Sequence, residues 1–231
     1  MRDTTTNRVL ATVRDLMPPR AISLSRAYFV AEQQTRLLLR LLDIHRLPVD
    51  VGRFGRLPRV QVGTKPAAAM DGKRSWSRWH RGKWEIAVCA DDPLMVRRYN
   101  LSCEVKRVLD HTTANVVYSN LRHRHPKHYE RLIDSIGSHF AACLLVPGHA
   151  LRRLWAAGLR DLECLAELFR VPVEVMERRV AFLGLSRNAG CVSEQMSGLK
   201  TAPTTADEPA ALLGRMYACT PRDWDGLEVR V

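Results

Sequence analysis

The sequence lacks any long uncharged apolar run. No stretch of the 231 residues approaches the roughly 20 apolar residues that a transmembrane helix needs. The N-terminal segment also lacks the apolar core of a signal peptide, because charges interrupt it at Arg8, Arg14 and Asp15. We therefore expect no membrane-spanning segment, no membrane partner and a cytoplasmic location.

Closely spaced cysteine pairs and internal repeats are also missing. None of the six cysteines forms a Cys-x-x-Cys pair, which excludes a zinc ribbon and a thioredoxin-like redox motif. In a reducing compartment such cysteines are free thiols that pack as small apolar groups. They are Cys89, Cys103, Cys143, Cys164, Cys191 and Cys219.

Acidic residues are few relative to basic ones. Lys and Arg number 36 and Asp and Glu 24, which gives a net charge of +12. Such a balance favours polyanions or acidic partners, and it is equally typical of an ordinary arginine-rich surface. The loop over 122–128, which contains His123, His125 and His128, is the strongest local polyanion candidate. With 46% hydrophobic and 26% charged residues, the composition is that of a globular protein.

Hydrophobic spacing predicts an α+β fold that is mostly helical with a small antiparallel sheet. Helices are expected over about 25–44, 95–111 and 129–145, and a short one before Pro18-Pro19. A strand is expected around Val60 and Val62, and a hairpin over 74–90. We divide the chain into an N-terminal segment (1–24), a core (25–150), a helix-turn-helix-like subdomain (151–185) and a flexible C-terminal tail (186–231).

Residues 161–185 have the pattern of two short helices around a turn at Arg170-Val171-Pro172. Such a unit can place its second helix in the major groove of DNA, or it can serve as a packed helical subdomain. Two acidic residues early in the second helix, Glu174 and Glu177, favour the packed subdomain because they repel phosphate.

One helix carries a cluster of chemically suggestive residues. Cys103, Arg107 and His111 are spaced four apart and share a helix face, with Glu104 beside them. Cys-Glu-x-x-Arg is the outline of the His-Glu-x-x-His motif with both histidines replaced. In the intact motif the imidazoles hold zinc and the glutamate activates the metal-bound water.

The flanks of this cluster resemble the ImmA/IrrE family of zinc metallopeptidase-like proteins. The segment RRYNLSCEVKRVLDH is similar to the family's His-Glu-x-x-His helix, and DSIGSHFAACLLVP is similar to its second helix. Upstream, LPVDVGRFGRLPRVQV and GKWEIAV match in order, and LAELFRVPVEVMERRVAFLGL resembles the helix-turn-helix segment. The resemblance covers about 27–185, most closely to actinobacterial and phage-like members, and implies a zincin-like minimal metallopeptidase core.

The resemblance assigns a position in the motif to each of five residues. Cys103 stands at the first histidine ligand, Glu104 at the general base and Arg107 at the second histidine ligand. Asp134 matches the acidic third ligand from the second helix, and His111 lies nearby, beyond the motif. The family cofactor implied is zinc.

This set of residues predicts no bound metal. A protonated arginine has no lone pair to donate, and its pKa exceeds about 12. His111 cannot replace it beside Cys103, because eight residues of helix rise by about 12 Å. We expect instead that Arg107 stands in for zinc and pairs with Glu104 and Asp134; the alternative is an ordinary exposed arginine.

These considerations predict a catalytically degenerate regulatory protein, a pseudoenzyme that binds a protein partner. The resemblance implies partners such as a helix-turn-helix repressor, or a toxin or antitoxin, in phage immunity or transcription regulation. One alternative is an active metallo-endopeptidase that cleaves a repressor with an atypical ligand set. Another is a DNA-binding transcriptional regulator that uses the basic surface and residues 161–185.

Overall fold

The computed structural model describes the backbone of residues 3–122 and 126–185, with side chains from residue 8 onward. The predicted tail over 186–231, and His123 and His125 of the basic loop, lie outside the described residues. The helices are α1 (Asp3–Arg14), α2 (Leu24–Leu41), α3 (Leu94–Asp110), α4 (Ala114–Val117), α5 (Pro126–Leu145), α6 (Gly148–Ala156), α7 (Leu162–Phe169) and α8 (Val173–Phe182). The strands are β1 (Val60–Lys65), β2 (Ser75–His80) and β3 (Lys83–Cys89), and short 3-10 helices span Val51–Arg56, Ala67–Ala69 and Ser119–Leu121.

The sheet is mixed, with strand order β1-β3-β2. Strand β2 pairs antiparallel with β3, as the hairpin prediction required, and both turn residues, Arg81 and Gly82, have positive φ. The prediction of a purely antiparallel sheet is wrong, because β1 runs parallel to β3, with Val60 opposite Trp84 and Lys65 opposite Cys89. The hairpin folds back so that β3 enters the sheet between β1 and β2.

Strand β3 is the central strand of this sheet, and both of its faces contribute to hydrophobic clusters. Its alternate residues Trp84, Ile86 and Val88 belong to the main hydrophobic core. Ala87 and Cys89 point to the other side, where they form a smaller cluster with Met70. The sheet therefore supports the helices on one face and presents β2 as one of its edges.

Helix α3 packs against β2 and β3 of the sheet, α5 packs against α3, and α2 packs against α5, which confirms the predicted α+β fold. Leu38 of α2, Val105 of α3 and Phe140 of α5 are 0%, 2% and 0% exposed in one continuous core. Helix α5 ends before Pro147, which directly precedes α6. Close packing of α3 on α5 is what brings residues of the two predicted motif helices together.

Residues 162–182 form the predicted helix-turn-helix shape and pack on the same core. Leu165, Phe169, Val175 and Met176 are buried in it. Arg170 ends α7 in the left-handed conformation, with φ 52° and ψ 56°. The division between a core and a subdomain at 150/151 stays a prediction, and this boundary falls inside α6.

The helices are also relevant to the membrane prediction. Within residues 3–122 and 126–185, no helix combines the length and the apolar character needed to cross a bilayer.

Candidate functional site

Arg107 joins the carboxylates of the two motif helices. Its Nη1 donates to Oε1 of Glu104 at 3.1 Å, one turn earlier on α3. Its Nη2 donates to Oδ1 of Asp134 on α5 at 2.8 Å. A single guanidinium therefore lies between two acidic groups from adjacent helices, with 47% of its side chain exposed.

Glu104 is held from the opposite side by the edge strand of the sheet. The Oγ of Ser75 donates to Oε1 at 2.8 Å, and the Oγ of Ser77 donates to Oε2 at 2.7 Å. The two serines are alternate residues of β2, so their side chains point to the same face. Because the Glu104 side chain is only 1% exposed and both oxygens accept hydrogen bonds, the carboxylate is fully engaged.

The electrostatics of the site hold Arg107 in its charged form. Partial burial works against the charge, but the nearby charges of Glu104 and Asp134 outweigh it and raise the pKa of Arg107. The deprotonated form that could ligate a metal is thereby disfavoured further. Asp134 is 59% exposed and faces solvent at the rim of the site.

Cys103 lies next to this group as a neutral thiol. Burial and the adjacent charge of Glu104 raise the pKa of Cys103 to about 12. Metal ligation and nucleophilic attack both require the thiolate. Cys103 is thus poorly suited to either role in this environment.

His111 lies apart from the other site residues. It caps the C-terminus of α3 and is exposed, and its ring lies edge-on to Trp84 with centroids 4.8 Å apart. The structure therefore brings Cys103, Glu104, Arg107 and Asp134 together and leaves His111 outside the group.

Sequence reasoning did not anticipate a buried polar network on the same helix. Nζ of Lys106 donates to Asp110 at 2.7 Å and to Gln34 at 2.8 Å, and the Tyr118 hydroxyl donates to Asp110 at 2.7 Å. The i, i+4 spacing of Lys106 and Asp110 was a detectable signal. It did not indicate that this face of α3 points into the core.

A second polar cluster connects α2, α5 and α8. The carboxylate of Glu32 accepts from Arg36 at 3.1 Å and from Arg179 at 3.3 Å. His139 Nε2 lies 3.4 Å from the Cys143 sulfur. No sequence motif pointed to this cluster, because its members come from three distant segments.

The site thus lies in an α+β core in which α3, which carries Glu104, packs on a small sheet next to α5, which carries Asp134. The family model described as Peptidase_M78, IrrE N-terminal-like domain, matches residues 58–181, more than half of the chain. The chain belongs to this family, which confirms the predicted ImmA/IrrE resemblance.

The chain is also similar to solved structures. A solved Mycobacterium tuberculosis transcriptional regulator shares 16% identity, with a TM-score of 0.49 over 75% of this chain and 51% of that one. The chain thus spans about half the length of that structure. No curated protein matches the sequence.

The zinc that the family implies does not fit the residues present. A catalytic zinc requires about three protein ligands and a water. Here Arg107 fills the space between Glu104 and Asp134 with a positive charge, and Cys103 is held as a thiol. An ion in this place would have to displace a guanidinium from two carboxylates.

Proposed function

We propose that this protein is a catalytically inactive member of its family that acts by binding a protein partner. The observation that carries the proposal is the bridge from Arg107 to both Glu104 and Asp134. The residue at the second histidine position thereby supplies the positive charge that zinc supplies in the family.

The bridge accounts for the persistence of the scaffold without its metal. The carboxylates of Glu104 and Asp134 share one guanidinium partner and would repel each other without it, and burial of Glu104 adds a desolvation cost. A guanidinium that bonds to both offsets these costs through charge-assisted hydrogen bonds. The family core can therefore keep its two acidic positions and its helix packing.

The same contacts remove the chemistry. A general base must accept a proton from the attacking water within hydrogen-bond reach. Both oxygens of Glu104 already accept from Ser75, Ser77 and Arg107. Glu104 is thus a structural acceptor in this arrangement rather than a base.

The edge strand next to the site is the best surface for a protein partner. Strand β2 pairs only with β3 among the described strands, so its other edge is open to a strand from another chain. Trp79 on this strand is 49% exposed. We infer that an extended segment of the partner, a repressor, toxin or antitoxin as the family resemblance implies, pairs with β2 and contacts Trp79.

DNA binding through residues 161–185 is the second candidate, and the burial of α8 weakens it. Arg179 is 2% exposed and donates to the Val146 carbonyl, while Val175, Met176 and Val180 are also buried. Arg178 Nε donates back to the Glu174 carbonyl. Few side chains of this helix are therefore available to read bases.

The inactivity is tested by metal analysis and a cleavage assay. We expect wild-type protein, after incubation with zinc and gel filtration, to hold far less than one equivalent of the metal. The variant Cys103→His/Arg107→His restores both ligands and is expected to approach one equivalent. The single variant Cys103→His is the control, since it retains Arg107. Stoichiometric zinc in wild-type protein, with cleavage that Glu104→Gln abolishes, would refute the proposal.

Partner binding is tested by identifying the genes next to this one and purifying any repressor-like or toxin-like product; a neighbourhood without such a gene would count against the proposal. We expect binding without cleavage, and a weaker complex with Trp79→Ser. Phe29→Ser is the matched control, because Phe29 is also 49% exposed but lies on α2. Equal losses in both variants, or no loss in either, would remove β2 as the docking edge.

A further inference from the structure

A cleft that includes none of the Arg107 site residues lies among the helices of the core, with Arg179 of α8 on one wall. It encloses about 460 Å³, within the range of roughly 300–1,000 Å³ of small-molecule sites. Its walls come from α2, the segment after it, the end of α5, the start of α6 and one residue of α8. Buried apolar residues form much of its floor: Leu39, Ile44, Leu47, Val49 and Ala150.

Arginine is the most frequent residue in the polar lining of the cleft. Five arginines line it: Arg36, Arg40, Arg46, Arg153 and Arg179. Two histidines, His45 and His149, accompany them. Glu32 is the single acidic residue among the lining side chains that the structure describes. One carboxylate cannot neutralise five guanidinium groups, so the cleft carries a strong positive potential.

Three of these arginines carry charge that no residue in the described part of the chain neutralises. Arg40, Arg46 and Arg153 are exposed, and none has an ion pair with a described residue. They come from α2, from the segment after it and from α6. Their convergence on one concavity is therefore a result of tertiary packing rather than of a local basic run.

Arg179 adds a buried cation to the wall of the cleft. Its Nε donates to the Val146 carbonyl at 3.1 Å and its Nη2 to Glu32 at 3.3 Å. Its Nη1 is buried without a hydrogen bond among the described residues. Gly148 leaves room for it, because a Cβ there would lie 3.1 Å from Nη2. The contact with Glu32 therefore fixes the position of Arg179 in this wall.

The N-terminus of α6 faces the same cleft. Its first residues Gly148, His149 and Ala150 are lining residues, and the preceding Pro147 provides no side-chain cap. The Ala150 amide donates to the Pro147 carbonyl at 3.0 Å, which leaves the amides of Gly148 and His149 as the donors of this helix end, and the helix dipole places partial positive charge there. This end of α6 thus reinforces the charge of the arginines.

A metal ion is a poor occupant of this region, although Glu32, His139 and Cys143 have ligand atoms within 4.8 Å of one another. Glu32 already accepts from Arg36 and Arg179. A divalent cation would be placed beside two guanidinium groups, and it would first have to deprotonate a thiol whose pKa burial raises to about 12. The charge balance favours an anion instead.

We propose that this cleft binds an organic phosphate of about nucleotide size. Arginine binds phosphate with paired, charge-assisted hydrogen bonds, and a helix N-terminus adds backbone donors. The apolar floor then accommodates an uncharged organic group. The site is independent of the Arg107 bridge and of the proposed inactivity, and its occupant would contact both α2 and the wall formed by Arg179.

The proposal is tested by calorimetric titration of the full chain with ATP, AMP, pyrophosphate and adenosine. We expect ATP to bind, with affinity falling as salt rises, and adenosine to bind far more weakly because it lacks phosphate. Arg40→Ser/Arg153→Ser is expected to weaken ATP binding at least about tenfold, since charge-assisted hydrogen bonds are lost.

Arg8→Ser/Arg20→Ser is the matched control, because it removes two exposed arginines that do not line the cleft. The two double variants therefore have the same net charge. Thermal unfolding of both double variants verifies that each is folded. Absence of binding by ATP and pyrophosphate, or equal binding of adenosine, would overturn the proposal. So would equal affinities of the two double variants, or duplex DNA that binds through Arg40 and Arg153 and is not displaced by ATP.

Discussion

Arg107 on α3 donates from Nη2 to Oδ1 of Asp134 on α5 at 2.8 Å, and from Nη1 to Oε1 of Glu104 at 3.1 Å. This contact connects the two helices that carry the metal-ligand positions in the family. The proposed loss of catalysis and the retention of the fold both depend on it. It is also the contact that can be tested most directly by substitution.

Removal of the bridging charge is expected to destabilise the protein. Arg107→Leu should lower the free energy of unfolding by about 1–2 kcal/mol, because Glu104 stays buried without its guanidinium partner. The half-exposed position of Arg107 keeps this below the loss for a wholly buried pair. Urea denaturation measures the change, and Arg107→Lys, which keeps the charge, should lose less. If the Arg107→Leu variant is as stable as wild type, the bridge contributes nothing.

The buried network around Lys106 is expected to contribute more than the bridge. Lys106→Met leaves Asp110 charged and buried, so we expect a loss of about 3 kcal/mol. Tyr118→Phe removes one hydrogen bond and should cost about 1 kcal/mol. Asp110→Asn combined with Lys106→Met should recover part of the loss. Strictly additive effects in chemical denaturation would contradict the coupling that the contacts predict.

Relief of backbone strain is expected to stabilise the turn of the helix-turn-helix-like unit. Arg170 has φ 52°, a left-handed conformation that glycine adopts without the steric cost of a Cβ. Arg170→Gly should raise the free energy of unfolding by about 0.5–1 kcal/mol. It also removes a positive charge that lowers the pKa of the buried Arg98. Arg170→Ala keeps the Cβ and is the control; a gain as large in alanine would show that strain is not the cause.

Mild acid is expected to destabilise the protein through His139. Burial and the charge of Arg179 lower the pKa of His139 from 6.5 to about 4. Between these values the unfolded chain binds a proton that the folded chain does not, so stability falls as pH drops through this window. We expect a loss on the order of 1–2 kcal/mol between pH 7 and pH 5, after allowing for partial exposure of the ring.

Urea titrations at pH 7, 6 and 5 measure this dependence, and His139→Gln should flatten it. His45→Gln is the control because His45 is 70% exposed. Glu32 does not interfere, since Arg179 and Arg36 outweigh its burial and lower its pKa from 4.5, which places its contribution at lower pH. An unchanged slope in His139→Gln would rule out this histidine as the cause.

The elements of this protein were predictable where periodicity is strong. Helices α3 and α5 begin and end close to the predicted bounds, and the hairpin lies within the predicted range 74–90. Helix α6 and the 3-10 helix Val51–Arg56 were not identified, because they are short, with nine and six residues, although the apolar residues of α6 do share one face. The parallel pairing of β1 with β3 was also missed, because the sequence does not show that the hairpin folds back and places β3 next to β1.

The sequence by itself determined the relations that lie within one helix. Glu104 and Arg107 are three residues apart, and 3.6 residues per turn place such a pair on one face. The separation of His111 from Cys103 follows from the same geometry. The order of the family-like segments along the chain was sufficient to indicate the family, because each of those segments reflects a local element of structure.

Only the tertiary structure decided which distant groups meet. Ser75 and Ser77 reach Glu104 because β2 lies against α3, and no spacing in the chain encodes that contact. The arginines of the basic cleft look like ordinary surface residues until α2, α6 and α8 bring them together. Charge and burial act through space, so a sequence that specifies each helix does not show where a cation will be buried or left without a partner.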